Sequence, residues 1–141
     1  MVGIVASKKS ELSLLAHLMR RAGFGASRTD LENLLPLGYE ENVEILLSPQ
    51  NNEPVDKFKF LRYYPMWWKP GTMGGAGQAT WVWTMINSPS PLQEKLCVFY
   101  HNIFATGVAK VDHYDEIEDM IEMFREKGLD HYKDVLMSVA K

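Results

Sequence analysis

The chain has one cysteine, Cys97, among its 141 residues, so no internal disulfide framework holds it together. A single thiol is compatible with a reducing compartment and does not prove one. There is no basic tract. Lys8-Lys9 and Arg20-Arg21 are the only adjacent bases, and the formal net charge is −3. That balance gives no broad attraction for nucleic acid or for an anionic membrane. No apolar run approaches the length of a bilayer crossing. The opening Met1-Val2-Gly3-Ile4-Val5-Ala6 is too short for a signal-peptide core, and Lys8 and Lys9 follow it instead of preceding it. Internal repeats, heptads and low-complexity segments are missing, and no alternating stretch of useful length argues for a sheet. The default localisation is cytoplasmic, with neither nucleic acid nor membrane as partner.

What remains is a composition of ordinary globular type, 46% hydrophobic and 23% charged, at a length that fits one domain with a core. Its periodicity is helical. Ser10 to Ala22 carries Leu12, Leu15, Leu18 and Met19 on one stripe, with Ser10 as the expected N-cap and Gly23 as the expected left-handed stop. Ser27-Arg28-Thr29-Asp30 opens a second helix with a capping pattern; its inner face is Leu31, Leu34 and Leu35, and Pro36 and Gly38 end it. A third helix runs from about Tyr39 to Leu47. Residues 50–78 read as an irregular segment, with a dense aromatic run, Pro65 and Pro70, and a glycine-rich stretch from Gly71 to Gly77 expected to form a mobile flap. Helical pattern returns at Ala79 to Asn87. After Ser88-Pro89-Ser90-Pro91 a helix runs to about Ala105. Tyr114 to Lys127 is amphipathic about Ile117, Met120, Ile121 and Phe124, and a last helix starts near Asp130. That last pattern is unfinished at Lys141, so the expectation is the front of a longer chain, with its missing C-terminal part as partner. The fold class is all-α: an irregular bundle of five to seven short helices with a long aromatic and glycine-rich loop, forming one segment over 1–141.

Several collinear stretches resemble one family. They are His17-Leu18-Met19-Arg20-Arg21-Ala22-Gly23-Phe24-Gly25-Ala26-Ser27; Leu37-Gly38-Tyr39 leading to Val43 and Leu46-Leu47; and Arg62-Tyr63-Tyr64-Pro65. They continue with Trp81 through Met85-Ile86-Asn87, Pro91-Leu92-Gln93-Glu94-Lys95-Leu96, and Phe99-Tyr100-His101-Asn102-Ile103-Phe104-Ala105-Thr106-Gly107. Met123-Phe124-Arg125 with Gly128-Leu129 and Leu136 closes the set. Together they are similar to the bacterial family catalogued as domain of unknown function 1800. The resemblance implies the N-terminal portion of a longer protein and brings no activity, substrate or cofactor. Two departures stand out: Tyr100 replaces a usual tryptophan, and the acidic Glu116-Ile117-Glu118-Asp119 replaces a glutamine-containing stretch. Members often carry a secretion signal, and this chain shows none.

The candidate site residues begin with His101. On a helix, Cys97 lies at i−4 and Glu94 two turns back on roughly that face. A His-Cys-carboxylate grouping suits a general base or part of a transition-metal site, with Asn102 orienting. The structural alternative is a half-buried imidazole bonded to a backbone carbonyl, and it is favoured about two to one. No complete metal-ligand spacing is present. Arg20 and Arg21, with His17 one turn before Arg21, suit a carboxylate or phosphate; pairing with a neighbouring helix and with the helix dipole is the commoner use. Trp67 and Trp68, with Trp81 and Trp83, divide evenly between a contact surface and core. The glycine-rich stretch lacks both the P-loop and the dinucleotide patterns. Asp112, Asp115, Glu116 and Asp119 do not have calcium-loop spacing and read as a solvated face. Two readings stay open. One is an enzyme segment that contributes a His101 pocket with Asn102 and Glu94. The other is a binding or scaffold module that uses the Trp67-Trp68 region.

Overall fold

The computed structural model describes residues 2–49, 52–63, 74–107 and 114–140. In chain order the helices are α1 Val2–Ala22, α2 Arg28–Leu34, α3 Gly38–Leu47, α4 Lys57–Leu61, α5 Gly74–Asn87, α6 Pro91–Ile103, α7 Tyr114–Lys127 and α8 Tyr132–Val139, with a 3-10 turn at Leu35–Leu37 between α2 and α3. Among the described residues there is no strand, so the all-α reading is what the chain adopts. No helix among them is long and apolar enough to cross a membrane.

Two apolar clusters organise these helices. Leu12, Leu15 and Leu18 of α1 meet Leu31 of α2 and Leu46 of α3 in the first. Cys97 and Tyr100 of α6, Phe124 of α7 and Val135 of α8 make the second. Within the second, the rings of Tyr100, Phe104 and Phe124 stack, with centroids 5.7 Å apart for both pairs that include Phe124. The helix α6 reaches both clusters, since its Leu92 packs against the first while Cys97 and Tyr100 belong to the second.

Local chemistry sets several boundaries. Ser27 caps α2 in a full capping box with Asp30. The Asp30 carboxyl is held below its ordinary 3.8 by the Ser27 hydroxyl and then by the Ser27 backbone N–H. Because its pKa is lower folded than unfolded, the box stabilises α2 above that ordinary value and loses this contribution as pH falls through the folded one. Asn42, 2% exposed, donates to the carbonyls of Leu34 and Gly38 at 3.0 and 2.5 Å, which ties α3 to the end of α2. Gly38 needs to be glycine because its φ is 79°.

Several boundaries differ from the sequence expectation. Helix α1 continues through Ser10 from Val2, so Ser10 is an internal residue and not a cap. The left-handed backbone after α1 sits at Gly25, φ 100°, not at Gly23. Gly23 is required by close approach instead, because a Cβ there would lie 2.8 Å from Cβ of Pro91. The segment 50–78 is not irregular throughout. Asp56 accepts from the Phe58 N–H at 3.0 Å and starts α4. The glycines at 74, 75 and 77 belong to the first turn of α5, so that part is helix and not flap. A Cβ on Gly77 would meet Glu118 Oε1 at 2.9 Å; glycine lets an α7 carboxylate approach the positive end of α5.

Gly23→Ala is expected to lower stability by about 1–3 kcal/mol through overpacking against Pro91, read as a lowered denaturation midpoint. Gly107→Ala is the control, since among the described residues nothing lies within 4 Å of its added Cβ. Equal midpoints for the two variants would contradict the close-packing role.

Candidate functional site

Among the described residues the most buried charged side chain is Glu94, 1% exposed, on the first turns of α6. Its partner is Arg125 of α7, with Nε donating to Oε1 at 2.5 Å and Nη2 to Oε2 at 3.2 Å. This side-on fork fixes the guanidinium in plane. Nη1 of Arg125 donates to Glu122 Oε2, and Lys57 Nζ of α4 reaches the same oxygen at 2.9 Å. A line of alternating charge therefore runs Lys57–Glu122–Arg125–Glu94 from solvent to core. Gln93 adds a second tie, since its side-chain amide donates to the Arg125 carbonyl at 2.7 Å. Burial works against the charged guanidinium. The hydrogen bond and charge of Glu94, then the charge of Glu122, outweigh it, and the net shift of Arg125 is upward.

This line lies along a cleft of about 220 Å³. Its walls are Pro49, residues 52–55 and Lys57, residues 88–90 with Gln93 and Glu94 of α6, and Glu122, Arg125 and Glu126 of α7. The entry is built by Ser90, 5% exposed, whose hydroxyl accepts from Asn52 Nδ2 at 2.9 Å. Pro91 supplies a first helical residue that has no N–H to satisfy.

The sequence grouped Glu94 with the His101 imidazole, and the structure gives its carboxylate a partner from another helix. Both Glu94 oxygens are engaged by Arg125, a residue 31 positions away that no helical spacing reveals. His101 is half-buried and sits edge-on to Trp81 of α5, ring centroids 5.3 Å apart. Its Nδ1 is enclosed without a hydrogen-bond partner, as are Nε1 of Trp81 and of Trp83. A general-base histidine is oriented by an acceptor on one ring nitrogen while the other works, and among the described residues no such acceptor meets Nδ1. Asn102 is exposed. Cys97 is fully buried. Burial, then the Glu94 charge, pushes its thiol up to about 12, so it stays protonated. Among the described residues no group of three or more His, Cys, Asp or Glu side chains is placed to hold a metal.

Arg20 and Arg21 are exposed at the end of α1, and among the described residues neither forms an ion pair. The C-terminal carbonyls of α1 are satisfied by a different base. Lys95 of α6 donates to Arg20 O at 2.7 Å and Gly23 O at 2.6 Å, the cationic C-cap that such carbonyls favour. Trp67 and Trp68 lie outside the described residues. Trp81 and Trp83 are half-buried, with Trp83 against Phe60 at 5.4 Å.

The model of the family described as "Protein of unknown function (DUF1800)" matches residues 17–141. No curated protein matches the chain, and no solved structure does.

Removing one partner of the buried pair, as in Glu94→Ala, is expected to cost about 3–5 kcal/mol, because Arg125 keeps a buried charge without its partner. The apolar double replacement Glu94→Leu/Arg125→Met is expected to recover most of that loss in denaturant titrations. A second expectation concerns Cys97: an aromatic disulfide reagent at pH 8 should label it only in denaturant. Labelling of the folded chain at the rate of free cysteine would contradict the enclosed, protonated thiol.

Proposed function

The chain belongs to the DUF1800 family of proteins of unknown function, and we propose that it acts as a helical binding module, with the cleft beside Arg125 as its ligand site. One observation carries this reading. A guanidinium has five N–H donors, and Glu94 and Glu122 engage three of them. Among the described residues nothing engages the other two, on a group that lines an open cleft and is already locked in orientation. Ligand sites combine a shaped recess with a few such fixed polar groups, and a locked group loses little freedom when a ligand arrives. The ligand oxygen would accept from Arg125. Arg20, Arg21, Trp67 and Trp68 remain proposed contact residues of the same module.

A second reading keeps His101 as a proton-transfer group, with Asn102 beside it and Glu94 behind it on the helix. Its support is the imidazole itself: Nδ1 is enclosed without a partner, and among the described residues Nε2 makes no hydrogen bond. In that reading an acceptor from elsewhere in the full-length protein orients the ring.

The binding reading is tested by titrating the 15N-labelled chain with N-methylacetamide, the smallest probe that carries an amide carbonyl. Shift changes should gather at Gln93, Glu94, Glu122 and Arg125, and scattered or absent changes would remove the cleft as a ligand site. For the second reading, His101→Ala in the full-length protein should preserve the melting temperature while metal content or turnover collapses. A variant that loses only stability makes His101 structural.

A further inference from the structure

Resting on the cleft as a ligand site, we infer that its ligand is a basic peptide segment, with a backbone carbonyl on Arg125 and a lysine-type ammonium at the rim. Among the described residues the charges that line the cleft are Glu53, Glu94, Glu122 and Glu126 against Lys57 and Arg125. Lys57, Glu122, Arg125 and Glu94 form the linked line already described and balance one another. Glu53 and Glu126 are left over. Both are exposed, and among the described residues neither has an ion-pair partner. Glu122 also keeps Oε1 free of any hydrogen bond among the described residues, since Lys57 and Arg125 share its Oε2.

The cleft thus offers two kinds of contact at two depths. Arg125 is 14% exposed and bears the two unengaged N–H donors, which need an acceptor oxygen. The mouth carries an excess of two negative charges, which repels a carboxylate or phosphate and attracts an ammonium. An anion suited to Arg125 alone would have to pass Glu53 and Glu126. An amide carbonyl satisfies Arg125 without bringing charge, and a lysine side chain extending from the same residue reaches outward to the acidic mouth. A volume of about 220 Å³ admits one such residue, being several times the roughly 30 Å³ share of a water molecule. Main-chain recognition by a fixed donor, with a charge-selective rim, separates affinity from specificity as peptide sites commonly do.

The test is a titration of the intact chain, followed by NMR, with N-acetyl-lysine N-methylamide and its neutral isostere N-acetyl-norleucine N-methylamide. The lysine probe is expected to bind about fivefold more tightly, the effect of two exposed charge contacts, and the preference should shrink as salt rises. The double variant Glu53→Gln/Glu126→Gln should abolish the preference while its unfolding midpoint stays unchanged, because both side chains are exposed. Equal binding of the two probes at Arg125 would overturn the basic-peptide ligand and leave the binding module standing. Tighter binding of N-acetyl-glutamate N-methylamide would overturn it in the same way. Absence of binding by all three probes would remove the binding reading as well.

Discussion

The fork between Glu94 and Arg125 fixes how α6 lies on α7, and most of the remaining structure refers to α6. A carboxylate at 1% exposure is tolerable only if its charge is matched and its oxygens are hydrogen-bonded. The two bonds from Arg125 meet that condition only at one rotation and one axial position of α6 relative to α7. Gln93 repeats the constraint by bonding the backbone of the same residue. Directly behind the fork, Cys97, Tyr100 and Phe124 close the apolar cluster that also takes in Val135 of α8. An apolar contact alone tolerates small slides between helices, whereas a planar fork does not.

The same stretch of α6 fixes the first half of the chain. Pro91 lies against Gly23 so closely that no Cβ fits there. Leu92 enters the cluster of α1, α2 and α3, and Lys95 caps the end of α1 through two carbonyls. Five consecutive residues, Pro91 to Lys95, therefore each make a tertiary contact. This accounts structurally for a chemically distinctive stretch. Its proline, glutamine, glutamate and lysine are the ties between two apolar clusters that the helices alone would leave loosely related.

How much of this was legible in the sequence depended on range. The span of α7 could be read directly, because Ile117, Met120, Ile121 and Phe124 keep one helical stripe across it. The capping box of α2 was equally plain, since Ser27 and Asp30 are three residues apart. Glu94 was not, because helical spacing shows only neighbours one or two turns away and offered His101 and Cys97 as its companions. The true partner, Arg125, comes from another helix, and in a sequence it is one arginine near a helix end among several. Gly23 and Gly77 were recognised as glycines of consequence for the wrong reason. Backbone freedom is the local property a sequence suggests, while the absence of a Cβ matters at Gly23 because of Pro91, and Gly77 leaves room for the Glu118 carboxylate; no local pattern brings either neighbour near. The helical first turn of α5 was hidden for the same reason: three glycines within four residues argue against a helix until a carboxylate from α7 is placed beside them.

The buried pair also bears on why a cleft lies where it does. Replacing such a pair by apolar side chains is often neutral or stabilising, so stability alone does not account for a charged group at this depth. Registration of α6 on α7 accounts for the fork itself. It does not account for the extension of the line outward through Glu122 to Lys57, whose side chains are 46% and 47% exposed and add little as isolated surface pairs. That extension does something the fork cannot. It draws an acidic and a basic side chain along the cleft wall and uses a third donor of Arg125, which further restricts the guanidinium while leaving two donors unengaged. A single charge-balanced line thus holds the helices in register at its inner end and presents a rigid, partly unsatisfied group at the cleft. The proposed binding role rests on the same interaction that makes the fold specific.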